Sequence, residues 1–190
     1  MTTPHRERVL RAATSSFLAR GYGSSIDDIA RRAGVARQTV YQHFASKDEL
    51  FKAVAGDLAK RVLVELEGDP EEDKRDTRAS LVRFGLEYRK RALGAQGIAT
   101  FRTLVPEVPR FRALARDMYA NTAGEMVRRL AAFLEEKLGA PDPEFSAEML
   151  LSMLTGHDRL KRLFAVPPGP EREAARTARI VDLFLKAHQS

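Results

Sequence analysis

The chain has 190 residues, a formal charge of +6 and no cysteine, so disulfides and zinc-thiolate sites are excluded and a reducing cytoplasm is the expected setting. Hydrophobic residues make up 44%, enough for a core, yet no apolar run reaches the length of a membrane-spanning helix and the opening MTTPHRERVL lacks the apolar centre of a signal peptide. Through Glu67 there are 11 Lys and Arg against 8 Asp and Glu, and beyond it 21 against 18, so the basic excess is shared and does not by itself locate an anionic partner.

Thr3 suits an N-cap and Pro4 the first helical position, where a missing amide costs nothing. Val9, Leu10, Ala13 and Phe17 form an apolar stripe through about Arg20, and Gly21-Tyr22-Gly23 ends that helix. No third glycine follows with phosphate-binding spacing, so GYG reads as a helix stop and a turn. Arg6, Arg8 and Arg11 are placed either to approach phosphates or simply to be solvated.

Ser24 or Ser25 can cap a second helix, and Ser25 with Asp28 fits the S-x-x-D capping pattern. Ile26, Ile29 and Ala30 give it one apolar face, and Gly34 stands where a chain leaving a helix needs positive φ. Val35, Val40 and Phe44 make an apolar seam for the next segment. Arg37, Gln38, Thr39, Tyr41, Gln42 and His43 lie between those positions and are rich in hydrogen-bonding groups. One bracing helix, a sharp turn and a second helix with a polar outer face is the layout of a helix-turn-helix, whose second helix enters the DNA major groove.

The run IDDIARRAGVARQTVYQHFASKDELF resembles the DNA-binding segment of TetR/AcrR-family transcriptional regulators. The turn glycine, Thr39-x-Tyr41-x-His43-Phe44 and Ser46-Lys47-x-Glu49 coincide in order, over about Pro4 to Phe51. Ala36 departs from the serine common there, removing one capping hydroxyl or phosphate contact. Arg37 can pair bidentately with guanine, Gln38 with adenine, and the Thr39 methyl can meet a thymine methyl. The resemblance implies that Thr39, Tyr41, His43 and Lys47 contact bases or phosphates. Ser25, Arg37, Gln38, Thr39, Tyr41, Gln42, His43 and Lys47 are therefore the candidate DNA-binding set.

Ser46 through Glu49 opens a fourth helix with a capping box, and Leu50, Phe51, Val54, Leu58, Val62 and Leu66 carry it to about Glu67. Gly68-Asp69-Pro70 and the acidic run after it mark a break near the domain boundary. The expected architecture is all-α. A three-helix DNA-binding domain over 1–50 is joined by a shared helix to a C-terminal domain over 51–190.

Beyond Lys74 only helical periodicity appears. Leu81 to Tyr88 mark one helix, and Ile98 to Val105 a short one ended by Pro106. Phe111 to Leu138 mark one long helix that stops at Gly139, and Asp142-Pro143 opens another through Phe164. A last helix follows Pro167-Pro168-Gly169-Pro170. The resemblance assigns homodimerisation to about Pro143–Val166 and Glu171–His188, where periodicity alone leaves plain core packing equally open. Phe84, Tyr88, Phe101, Leu104, Phe111, Met118, Tyr119, Met149 and Met153 are candidates to line a cavity for a small hydrophobic or aromatic effector. The same residues at helical spacing also read as ordinary core.

The function expected is a DNA-binding regulator, by family habit a repressor, that binds a palindromic operator as a dimer and is released by an effector. A DNA-binding dimer without any effector is the alternative. An enzyme is the rival class. Its only support is His157 beside Asp158, and adjacent helical residues point apart, so no dyad forms. No cofactor or metal ligand set is expected.

Overall fold

The computed structural model describes residues 4–64, 76–167, 169 and 171–188. Thr3, Leu66 and the expected boundary at Gly68-Asp69-Pro70 lie outside them. Every regular element among the described residues is helical. The chain divides into two compact units, Met1–Arg61 with Ala99–Met118, and Val62–Ile98 with Tyr119–Ser190.

The first unit is built on α1 (Pro4–Arg20), α2 (Ile26–Ala33), α3 (Arg37–His43) and the start of α4 (Lys47–Val64). Its core collects Val9, Ala13 and Phe17 from α1, Ile26, Ile29 and Ala30 from α2, Val40 from α3, and Leu50, Phe51 and Val54 from α4. These are the residues whose helical spacing marks one face of each element, so burial of those faces holds the helices together. Residues 99–118 join this unit. Leu104 and Phe111 pack on its core, and the Thr103 hydroxyl donates to the Phe17 carbonyl at 3.0 Å.

The second unit contains α5 (Thr77–Leu93), α8 (Ala123–Leu138), α9 (Pro143–Leu163) and α10 (Glu173–Ala187). Leu81, Leu130, Leu134, Leu150, Leu154, Val181 and Phe184 form its core. Asp142 caps α9 by accepting from the Phe145 amide at 3.1 Å. At Gly85 an added Cβ would lie 2.8 Å from Thr177 Cγ2 and 3.0 Å from Leu154 Cδ2. The missing side chain is what lets α5 approach α9 and α10 so closely.

Within that bundle Arg89 is buried, 3% exposed. Its guanidinium donates to Glu173 at 2.9 Å, to Asp158 at 3.0 Å and to the Leu154 carbonyl. Arg176 donates to the same Asp158 at 2.7 Å and Arg162 to Glu173 at 2.7 Å. One guanidinium thus ties α5 to both later helices, with each acid shared by a second arginine.

One helix departs from its expectation. The single helix over Phe111 to Leu138 is two, α7 (Arg112–Ala120) and α8, separated at Asn121-Thr122. Thr122 lies at φ −128°, ψ −87°, outside helical values. Asn, Thr and Gly within four residues are all poor helix formers, and they outweigh the continuous apolar spacing on either side. The short helix also begins earlier than Ile98: α6 (Ala95–Leu104) starts directly after Gly94.

Candidate nucleic-acid interface

The bracing helix and its turn form by local chemistry. Ser25 caps α2, its hydroxyl accepting from the Asp28 amide at 3.0 Å, while Ser24 turns inward to donate to the Ser16 carbonyl at 2.9 Å. Gly34 adopts φ +65°, ψ +40°, and its amide closes on the Ala30 and Arg31 carbonyls. That conformation reverses the chain into α3 without a steric cost. Ala36 stands at the start of α3 and supplies no side-chain cap.

Of the α3 seam, Val40 and Phe44 are buried at 1% and 5% exposure. Arg37, Gln38, Tyr41 and Gln42 are exposed, and Thr39 and His43 half-buried. Arg37 is held in place by Asp27 of α2, at 3.0 and 3.1 Å, and its guanidinium lies 5.6 Å from the centre of the Tyr41 ring. Tyr41 and the Asp27 charge both raise the affinity of Arg37 for its proton. Asp27 was not among the candidate residues, since nothing in its spacing links it to Arg37. On α1, Arg6 packs over the Phe44 ring at 5.1 Å, Arg8 donates to His5, and Arg11 lies 3.9 Å from Glu7.

At the start of α4 the Ser46 hydroxyl accepts from the Glu49 amide at 3.1 Å. Lys47 is half-buried, its ammonium 4.4 Å from the centre of the Tyr22 ring. Burial, then the nearby Arg110 charge, lower the Lys47 pKa from the usual lysine value, against the pull of Asp48 and Glu107. The Tyr22 hydroxyl donates to Asp48, and burial together with that acceptor pushes its pKa up to about 12. Arg110 also binds Asp48, at 2.9 and 3.2 Å. Arg110 and Tyr22 are further residues of this corner that periodicity could not connect.

The nine effector candidates divide between the two units. Phe101, Leu104, Phe111 and Met118 belong to the first unit and Phe84, Tyr88, Tyr119, Met149 and Met153 to the second. Phe111 stacks on Phe51 at 5.3 Å within the aromatic cluster around Tyr22. Phe84 and Tyr88 stack on each other at 5.9 Å beside the second core. Phe101, Tyr119 and Met153 are exposed.

Two family models cover most of the chain. The model for bacterial regulatory proteins of the tetR family matches residues 9–54, and the C-terminal domain of AefR-like transcriptional repressors matches residues 79–190. The chain belongs to the TetR family. It is therefore a DNA-binding transcriptional regulator, not an enzyme. The transcriptional activator FasR of Mycolicibacterium smegmatis is 50% identical over 50 residues, which are 26% of this chain and 23% of FasR. A Mycobacterium tuberculosis regulator named for mycofactocin biosynthesis, MftR, is 28% identical over 82% of this chain and 75% of its own. Among solved structures, a TetR-family regulator from Mesorhizobium loti superposes with a TM-score of 0.86 over 98% of both chains, at 22% identity. The flavonoid-responsive regulator FrrA superposes with a TM-score of 0.76 over 96% of both, at 28% identity. TetR-family members carry an N-terminal helix-turn-helix and a helical C-terminal part, which is the all-α arrangement found here.

Proposed function

We propose that this TetR-family chain is a ligand-responsive repressor. It binds a palindromic operator as a homodimer and is released by a small hydrophobic or aromatic effector. The observation that carries the DNA-reading part is the split of α3. Its apolar side, Val40 and Phe44, is buried, and Arg37, Gln38, Tyr41 and Gln42 are left to solvent. Those side chains have the donor and acceptor geometry that base edges require, and Lys47 at the start of α4 suits a phosphate.

Dimerisation through α9 and α10 is supported by the apolar surface they leave open. Phe145, Met153 and Leu160, with Phe164 just past the end of α9, fall in one helical stripe, and Leu183 of α10 is also exposed. A lone helix-turn-helix buries little surface on DNA, and a two-fold pair reading two half-sites overcomes that. Phe145 and Phe164 are exposed by 60% and 75%, which a stable dimer would cover.

The name of FrrA makes flavonoids the first effector class to test. Release requires that the effector bind the DNA-incompetent state more tightly than the other. The alternative, a DNA-binding dimer without an effector, is favoured by the exposure of Phe101, Tyr119 and Met153, three of the nine candidate residues. The deciding experiment is operator binding titrated with flavonoids and other flat aromatic compounds. A rising dissociation constant supports the sensor, and an unchanged constant at saturation of each compound supports the alternative.

A further inference from the structure

Arg110 lies 62 residues beyond Asp48 in the sequence, outside the helix-turn-helix, yet it completes the corner that carries Lys47. Its guanidinium touches both Asp48 oxygens and lies 4.6 Å from the centre of the same Tyr22 ring that sits under Lys47. The segment that bears it is fastened to the first unit. The buried Thr103 donates to Phe17, and Phe111 stacks on Phe51. The backbone that carries Arg110 is therefore anchored beside Asp48, while the side chain itself stays about half exposed.

The charge arrangement has a direct consequence for DNA. Asp48 is the residue next to Lys47, well inside the ~8 Å screening length of physiological salt. A bare carboxylate there would oppose any phosphate brought to Lys47. The two hydrogen bonds from Arg110, with the one from Tyr22, turn that carboxylate toward cationic and hydroxyl partners. They also hold the Tyr22 ring that orients the lysine ammonium by a cation–π contact.

We infer that Arg110 is a positioning residue for DNA binding: it neutralises Asp48 and seats Tyr22 so that Lys47 can hold a backbone phosphate. This inference rests on the proposed phosphate contact of Lys47. It requires no base contact from Arg110, so its effect is independent of sequence.

The test uses the full chain and a fluorescein-labelled duplex of mixed sequence at low salt, with melting temperature recorded for each variant. Lys47→Ala should weaken binding and lower the slope of log K against log salt by about one per contact. Arg110→Ala should weaken binding about three- to tenfold, the size of one unscreened neighbouring charge, with the melting temperature nearly unchanged. Asp48→Asn keeps an acceptor for Tyr22 but removes the charge. Asp48→Asn alone should bind at least as tightly as the natural chain, and Asp48→Asn with Arg110→Ala should recover most of the loss. Arg110→Lys, which retains the charge, should fall between the natural chain and Arg110→Ala. If Lys47→Ala weakens binding while Arg110→Ala does not, the inference is wrong. A double variant as weak as Arg110→Ala would also overturn it, because Arg110 would then act as a phosphate ligand or a structural prop. If Lys47→Ala leaves binding and slope unchanged, the phosphate contact beneath the inference fails instead.

Discussion

Arg37 directs one guanidinium nitrogen at both carboxylate oxygens of Asp27, 3.1 and 3.0 Å away. The arginine best suited to read guanine is thus steadied from the bracing helix. Both side chains are more than half exposed, so the pair is weak and water-accessible, and Arg37 can exchange it for a base edge. Until DNA arrives the pair orients Arg37, and the negative charge of Asp27 makes the attraction of Arg37 for phosphates smaller.

Arg37→Ala should reduce affinity for the preferred operator roughly ten- to a hundredfold and leave affinity for mixed-sequence DNA far less affected. Asp27→Asn should act in the opposite sense on mixed-sequence DNA. It removes a negative charge and frees Arg37, so binding to any duplex tightens and the ratio of operator to mixed-sequence affinity falls. Fluorescence anisotropy with the two duplexes measures both.

The turn offers a separate test. An added Cβ at Gly34 would meet nothing within 4 Å, so Gly34→Ala isolates the left-handed backbone strain from any clash. It should destabilise the chain by about 1–2 kcal/mol, the cost of that conformation for an ordinary residue. Equilibrium urea unfolding gives the value.

Much of this part of the molecule was legible in the sequence. Capping patterns, the turn glycine and the 3.6-residue apolar period are local, and each of Ser25, Gly34, Val40 and Ser46 does what its neighbours dictate. The break between α7 and α8 is hidden in the sequence because apolar residues keep their helical period across Asn121-Thr122. The Arg110–Asp48, Arg37–Asp27 and Arg89–Asp158 pairs were out of reach for another reason. They join residues 10 to 69 positions apart, and no local rule selects one arginine among many.

Arg89→Met should cost about 3 kcal/mol or more, because it takes from Asp158, itself little exposed, and from Glu173 the guanidinium they share inside the bundle. Calorimetric melting of the full chain checks it. A cost near zero would mean that Arg176 and Arg162 satisfy the two acids on their own.

Acid should reach the same cluster. Burial alone would raise the Asp158 pKa, but hydrogen bonds from Arg89 and Arg176 outweigh it and hold the carboxyl below its ordinary value. A depressed folded-state value means that the ionised form stabilises the fold. That stabilisation is complete above the ordinary aspartate value of about 4 and is lost as pH falls through the lower folded value. The stability difference between the natural chain and Asp158→Asn should therefore be flat from neutral pH to about 5 and shrink below about 4. Urea midpoints across that range record it.

The most direct measurement is DNase footprinting on the DNA beside the protein's own gene, with the natural chain and with Arg37→Ala, Gln38→Ala and Tyr41→Ala combined. A two-fold symmetric protected site that disappears in the triple variant, at an unchanged melting temperature, is the expected result. Equal protection of the same site by the triple variant would contradict the assignment of base reading to the exposed side of α3.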